Sequence, residues 1–242
     1  MQRHRVPLLV TAACACTAAV AAWADGSVGG SLDVTSDYIY HGLSQSRGDP
    51  AVQADIHYRS ASDAATGENF IGLWGSTISR ATTGGTYELN AYAGRTFLVD
   101  SDSSATLSFV HYAYPNDRGS PRYDYDELSG SWAYRDLVFF TVAWTPDTAA
   151  YTERGWGRCC RLLSYDVALH QSLGHGFTLS AALGYDELKG DFGYAYWNGG
   201  IAYAMGPFQL DLSYFAMQPR AADLYGYAIA GNRWVGTLIW RF

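Results

Sequence analysis

The stretch Trp234-Val235-Gly236-Thr237-Leu238-Ile239-Trp240-Arg241-Phe242 decides the reading of the fold. Counted in twos from its end it gives Phe242, Trp240, Leu238, Gly236 and Trp234. A strand sends alternate side chains to opposite faces, so these residues form one apolar face with aromatics at both tips. At the edge of a soluble sheet such a row would invite aggregation. In a bilayer it is what a lipid-facing strand of about nine residues requires, with aromatic rings where it meets the interfaces. The expectation is an all-β transmembrane antiparallel barrel, set against a soluble sandwich that ends on a strand.

Working back from this stretch, period-two runs bounded by turn residues predict twelve strands: 28–42, 51–60, 69–79, 86–97, 105–114, 123–134, 137–145, 162–171, 177–186, 194–204, 208–216 and 234–242. Twelve is even, as an up-and-down barrel with both termini in the periplasm requires. On the first strand Val28, Leu32, Val34, Tyr38 and Tyr40 share one parity, and Asp33 and Asp37 the other. Inward parity likewise falls to Asp55, His57, Arg59, Glu88, Asn90, Asp166, His170, Asp186 and Asp211, which are the candidate pore-lining residues with Asp33 and Asp37. The strands at 69–79, 105–114 and 123–134 are ambiguous in facing. Very tight turns are expected at Arg135-Asp136 and Gly206-Pro207 on the terminal side, and the longest loops, 146–161 and 217–233, on the outer side.

Residues 1–24 read as a signal peptide rather than as part of the barrel. Arg3, His4 and Arg5 precede a short apolar run, and Ala22-Trp23-Ala24 suits cleavage after Ala24. A lipoprotein signal at Cys14 or Cys16 fits less well, because the residues before Cys14 do not match that pattern. The remainder, 25–242, reads as one domain. Nineteen Tyr, 8 Trp and 26 Gly suit a membrane barrel, where amphipathic rings sit at interfaces and glycines let the sheet bend. A mean hydropathy of −0.11 is expected when lumen and lipid faces alternate. The formal charge is −7; loss of Arg3 and Arg5 with the signal leaves 14 basic against 23 acidic residues, or −9. No basic stripe exists for nucleic acid. Adjacent Cys159 and Cys160 cannot staple distant segments, and they remain a minor pair, a strained vicinal disulfide or a site of metal or intermolecular chemistry.

The end of the chain resembles the closing strand of bacterial outer-membrane barrels, in which a terminal Phe is read by the barrel-assembly machinery. That resemblance makes Phe242, Trp240 and Leu238 the candidate assembly signal. Asp33-Val34-Thr35-Ser36-Asp37-Tyr38-Ile39-Tyr40-His41-Gly42-Leu43-Ser44-Gln45-Ser46, followed by Asp49-Pro50-Ala51-Val52-Gln53, resembles the amino-terminal signature of the TorF-type porin family of proteobacteria. Gly72-Leu73-Trp74-Gly75-Ser76 and Glu88-Leu89-Asn90-Ala91-Tyr92-Ala93-Gly94 are similar to its next two blocks. His41 stands where that family usually shows Arg, and Asn90 where it commonly shows Asp. The resemblance implies an outer-membrane barrel and a pore, with no particular substrate.

Two functions follow. One is passive diffusion of small polar solutes or ions, preferring cations because the lumen parity is acidic. The other is a non-conducting structural or adhesive barrel, its carboxylates tied up by an inserted loop. Neither is enzymatic, and neither needs a cofactor or metal. Ser/His/acid sets are not evident, since His41 and Ser44 flank a turn with no fixed acid beside them. Asp124, Asp126 and Glu127, and Asp186, Glu187 and Asp191, form carboxylate clusters that match no calcium loop and read as solvated charge. Lipid and lipopolysaccharide are the expected surroundings.

Overall fold

The computed structural model describes residues 26–61, 67–79, 85–117, 123–152, 155–188 and 192–242. The predicted signal segment lies outside the described residues. Twelve strands close an antiparallel barrel: β1 (Ser27–Thr35), β4 (Ala51–Arg59), β5 (Glu68–Thr77), β6 (Tyr87–Leu98), β7 (Ser103–Ala113), β8 (Tyr125–Tyr134), β9 (Val138–Thr152), β10 (Gly155–Gly174), β11 (Phe177–Leu188), β12 (Phe192–Met205), β13 (Phe208–Met217) and β14 (Arg233–Arg241). Two further strands, β2 (Ile39–Tyr40) and β3 (Leu43–Ser44), make a small hairpin of their own between β1 and β4.

Alternation places the strands as the sequence suggests. Leu32, Ile56, Leu89, Leu107, Leu183, Leu212 and Leu238 all point outward, each 43% exposed or more. Only a lipid environment makes a ring of such side chains favourable, so this is a membrane-spanning wall. The three ambiguous strands now resolve: Leu73, Phe109 and Leu128 face out, while Trp74, Tyr112 and Glu127 face in and are buried.

The barrel closes between β1 and β14, in register from Ser31 against Arg241 to Thr35 against Thr237. Phe242 extends the seam. Its N–H donates to the Gly30 carbonyl at 3.1 Å, and the Gly30 N–H returns to the Phe242 carbonyl at 3.0 Å. A Cβ on Gly30 would come within 2.8 Å of the Phe242 ring, so the missing side chain lets the ring lie against the seam. Deletion of Phe242 removes both bonds and the contact with Trp240, whose ring centroid is 5.4 Å away. The expected result is a lower yield of folded protein, counted as the heat-modifiable band on gels; an unchanged yield would show the seam to be indifferent to it.

The described ends of the chain, Gly26 and Phe242, lie at one end of the barrel. That end has the tight turns at Arg135-Asp136, with both φ near 54°, at His175-Gly176 and at Gly206-Pro207. The opposite, loop end departs from expectation in two places. Residues 146–152 and 155–161 are not an irregular loop: β9 and β10 continue as a paired ribbon through Trp156 against Tyr151. The Cys159-Cys160 pair sits on this ribbon, where two register shifts flank Cys160; the side chains there are outside what is described. Residues 217–233 hold α1 (Pro219–Tyr225) and α2 (Tyr227–Ala230), whose Ala221, Ala222 and Ala230 are buried against Tyr194, Tyr196 and Met217.

Candidate functional site in the lumen

The first predicted strand ends early. β1 stops at Thr35, and the chain then turns into the barrel. Asp37 therefore does not line the wall as a strand residue. It is the anchor of the inturned segment, accepting hydrogen bonds from Ser44 Oγ and Ser46 Oγ, each at 2.6 Å, and a charge-assisted bond from Arg233 Nη1, also at 2.6 Å. Tyr38 and Tyr40, assigned by parity to the lipid face, are in the lumen for the same reason. Once the segment leaves the wall it has protein on every side, so alternation no longer separates inside from outside.

The β2–β3 turn consists of His41 and Gly42, with φ of 47° and 76°. Two successive left-handed residues define the two-residue turn that suits strand twist, and His is among the non-glycine types that tolerate this region. Gly42 has a second constraint. A Cβ there would lie 2.6 Å from Met217 Cε and 2.7 Å from Tyr196 Cβ. Gly42→Ala should therefore weaken docking by roughly 1–3 kcal/mol. It should also raise hydrogen exchange across residues 36–50 while leaving the barrel strands protected; unchanged exchange would refute tight docking.

The hairpin crosses to wall residues from seven strands. Tyr38 packs on Trp74, ring centroids 5.4 Å apart, and its hydroxyl donates to Glu88 Oε1 at 3.4 Å. The Tyr40 hydroxyl donates to Glu127 Oε2 at 3.1 Å and lies 3.2 Å from the Tyr112 hydroxyl. His41 Nδ1 sits 3.0 and 3.1 Å from the two Asp186 oxygens and 3.3 Å from Ser164 Oγ. The imidazole is stacked between Tyr40, at 4.1 Å, and Tyr196, at 5.5 Å and 16°. Tyr194 also donates to Asp186, at 2.9 Å, and Tyr196 to Asp166, at 2.8 Å. Burial works against charge on His41, but Asp186, with Asp166 and Glu127 beyond it, outweighs burial and pushes the pKa up to about 9. His41 is thus a cation at neutral pH, delivered by a loop to an acidic wall.

The remaining candidates fall into distinct groups. Asp55 joins His57 Nδ1 at 2.5 Å and the Tyr92 hydroxyl at 2.6 Å. Asn90 donates to Glu88 at 2.8 Å. Arg59 pairs with Glu68 at 2.5 Å near the terminal end, so its charge is offset locally. Asp33 accepts from Ser31, Asp211 accepts from Ser213, and His170 packs against Phe139 at 5.0 Å. Asp33, Asp55, His57, Glu88, Asn90, Asp166, His170 and Asp186 are each 5% exposed or less, so the lumen at their level is filled. Parity reasoning left out Glu127, on an ambiguous strand, and Arg233 and Arg241, whose inward facing follows from the apolar row opposite them.

The two carboxylate clusters come apart. Glu127 turns inward, while Asp126 faces out beside His111 at 2.8 Å and Asp124 accepts from the Tyr114 N–H. Asp186 turns inward, Glu187 lies 3.8 Å from Arg161, and Asp191 is outside the described residues. No group of three or more possible ligands for a metal is arranged among the described residues. His41, Ser164 and Asp186 do meet, but serine and acid both contact Nδ1. A nucleophile triad needs the serine on the other nitrogen, so this is not triad geometry.

A closed, lipid-clad barrel whose lumen is crossed by an inturned loop defines the class: a transmembrane β-barrel with a porin-like fold. The chain belongs to the Gcw_chp family, described as bacterial protein of unknown function, whose model matches residues 21–237. No curated protein matches it. Solved structures share the architecture at low identity. The NanC porin is 11% identical, with 86% of this chain and 97% of that one covered and a TM-score of 0.53. The CymD monoaromatic hydrocarbon channel is 10% identical, with 90% and 88% covered and a TM-score of 0.51. A membrane protein from a study of in-meso crystallization is 12% identical, with 88% and 83% covered and a TM-score of 0.57. These likenesses establish a common fold.

Proposed function

We propose that the protein is an outer-membrane channel for small cationic solutes, closed in this state by the β2–β3 hairpin. The observation that carries the reading is the charge balance where the hairpin docks. Among the described residues, three wall carboxyls, Glu127, Asp166 and Asp186, surround a single cation, His41, and that cation arrives on a loop. If the loop swings out, an acidic ring remains. Such rings attract cations across a narrow path, most strongly at low ionic strength. Arg59 and Arg233 do not offset the ring, because Glu68 and Asp37 already pair with them. Twelve strands enclose more than the eight-strand barrel that side chains alone can fill. The resemblance to TorF-type porins and the porin and channel neighbours support the same reading. So do the signal segment, which predicts export and cleavage after Ala24, and the terminal Phe242, Trp240 and Leu238, offered to the barrel-assembly machinery. The surrounding lipid and lipopolysaccharide would face the apolar belt.

The test is conductance of the purified protein in a planar bilayer across a potassium chloride gradient. A reversal potential of cation-selective sign is expected, growing as salt is lowered; an anion-selective channel would overturn the charge argument. The filled lumen favours a second reading, a plugged structural or adhesive barrel. Silence at every voltage, with and without the hairpin, would establish that one instead.

A further inference from the structure

The surroundings of His41 have the form of a ligand site already holding an occupant. One planar ring lies flat against Tyr196, at 16° between planes, and presents its edge to both oxygens of Asp186. Tyr194 and Ser164 complete that edge, and Asp166 and Glu127 add negative charge behind it. A planar cation stacked on an aromatic face with a carboxylate at its rim is the arrangement that guanidinium groups favour, through cation–π attraction and paired N–H···O bonds. The occupant is also an imperfect one. His41 offers a single nitrogen to the two carboxylate oxygens, and its other nitrogen, Nε2, is buried without a partner among the described residues. A buried donor left unpaired is costly, so a cation with donors along two edges would satisfy the site better than imidazolium does.

We propose that Asp186, Tyr196, Tyr194 and Ser164, backed by Asp166 and Glu127, form a binding site for small planar organic cations of the guanidinium or amidinium class. His41 fills that site as an internal stand-in while the hairpin is docked. The binding step stands on this geometry alone; that the same cation is the transported solute rests on the channel reading above. Entry of such a cation displaces His41, and with it the hairpin, so ligand recognition and opening are one event.

Methylguanidinium chloride is the probe, titrated calorimetrically into the detergent-solubilised full chain, with sodium chloride at matched ionic strength as the blank. His41→Gly, which vacates the stack, should bind it about tenfold or more tightly than the wild type, where the hairpin competes. Adding Asp186→Asn to His41→Gly should weaken binding by a further tenfold or so, because the charge-assisted pair is lost. Adding Asp211→Asn should leave the affinity alone. Equal binding by wild type and His41→Gly, or equal losses from the two Asp changes, would overturn the site. Should His41→Gly fail to fold, hydrogen exchange on the wild type decides: methylguanidinium should speed exchange across residues 36–50 and sodium should not, and identical exchange overturns the proposal. Binding by a barrel that never conducts supports the site and removes the channel reading. Conduction without binding does the reverse.

Discussion

Leu210→Arg and Leu212→Arg are each expected to destabilise the barrel by about 2–4 kcal/mol, the cost of a lipid-facing arginine near mid-membrane. Asp211→Asn, on the residue between them, should leave folding in lipid within about 0.5 kcal/mol, as a change away from any essential contact does. The contrast rests on facing. Leu210 and Leu212 are 57% and 48% exposed on the outer wall, among the apolar side chains that ring the barrel. Asp211 points inward, where its carboxylate accepts from Ser213 Oγ at 2.6 Å. An arginine at 210 or 212 would have to desolvate its charge or reach for a headgroup, and mid-strand positions make that reach long. Urea titration of refolding into vesicles reads all three variants on one scale. Similar midpoints for the three would mean that the wall is not embedded as its apolar belt requires.

The second large effect concerns the hairpin. The Gln45 N–H donates to the Tyr38 carbonyl at 2.7 Å, so the two ends of the hairpin are adjacent. Residues 39–44 can then be replaced by an Asn-Gly turn, the pairing best suited to a two-residue connection, without pulling on the anchors. That change removes Tyr40 and His41 together and leaves Glu127, Asp166 and Asp186 on the wall. Single-channel conductance should rise several-fold above that of the intact chain, with cation preference kept or strengthened, since the His41 cation facing those carboxyls is gone. Asp37 keeps Ser46 and Arg233 as partners, so the segment beyond the shortened turn stays anchored. A shortened protein that folds, shows the heat-modifiable band and still passes no current would make the barrel a plugged scaffold.

Much of the wall was legible in the residues. A barrel strand has lipid on one side and protein or water on the other, so a period of two carries both its existence and its facing. This is why Leu210, Asp211 and Leu212 were assigned correctly, and why β14 could be read from five alternate residues. The tight turns at Arg135-Asp136 and Gly206-Pro207 were legible for a similar local reason, since each is a two-residue break between period-two runs. Facing stays open where the pattern is mixed, as on β8, whose Glu127 is a central lumen acid, and it failed at Tyr38 and Tyr40, where the chain leaves the wall.

The lumen itself was not legible in the same way. Asp37 to Ser46 continues the strand-like alternation of β1, and its hairpin is extended backbone too, so nothing in the period announces that the chain has left the wall. The bend depends on Arg233 meeting Asp37 across 196 positions of sequence, and on Tyr196 and Met217 leaving room for a residue with no side chain at 42. His41 becomes a cation because Asp186, on a strand far along the chain, closes around it. By itself the sequence determined the wall strands and their closure, because both follow from local alternation against two different solvents. Only the tertiary structure decided that the first outer loop fills the lumen and which acids hold it there, because those choices rest on contacts between distant segments that no local pattern encodes.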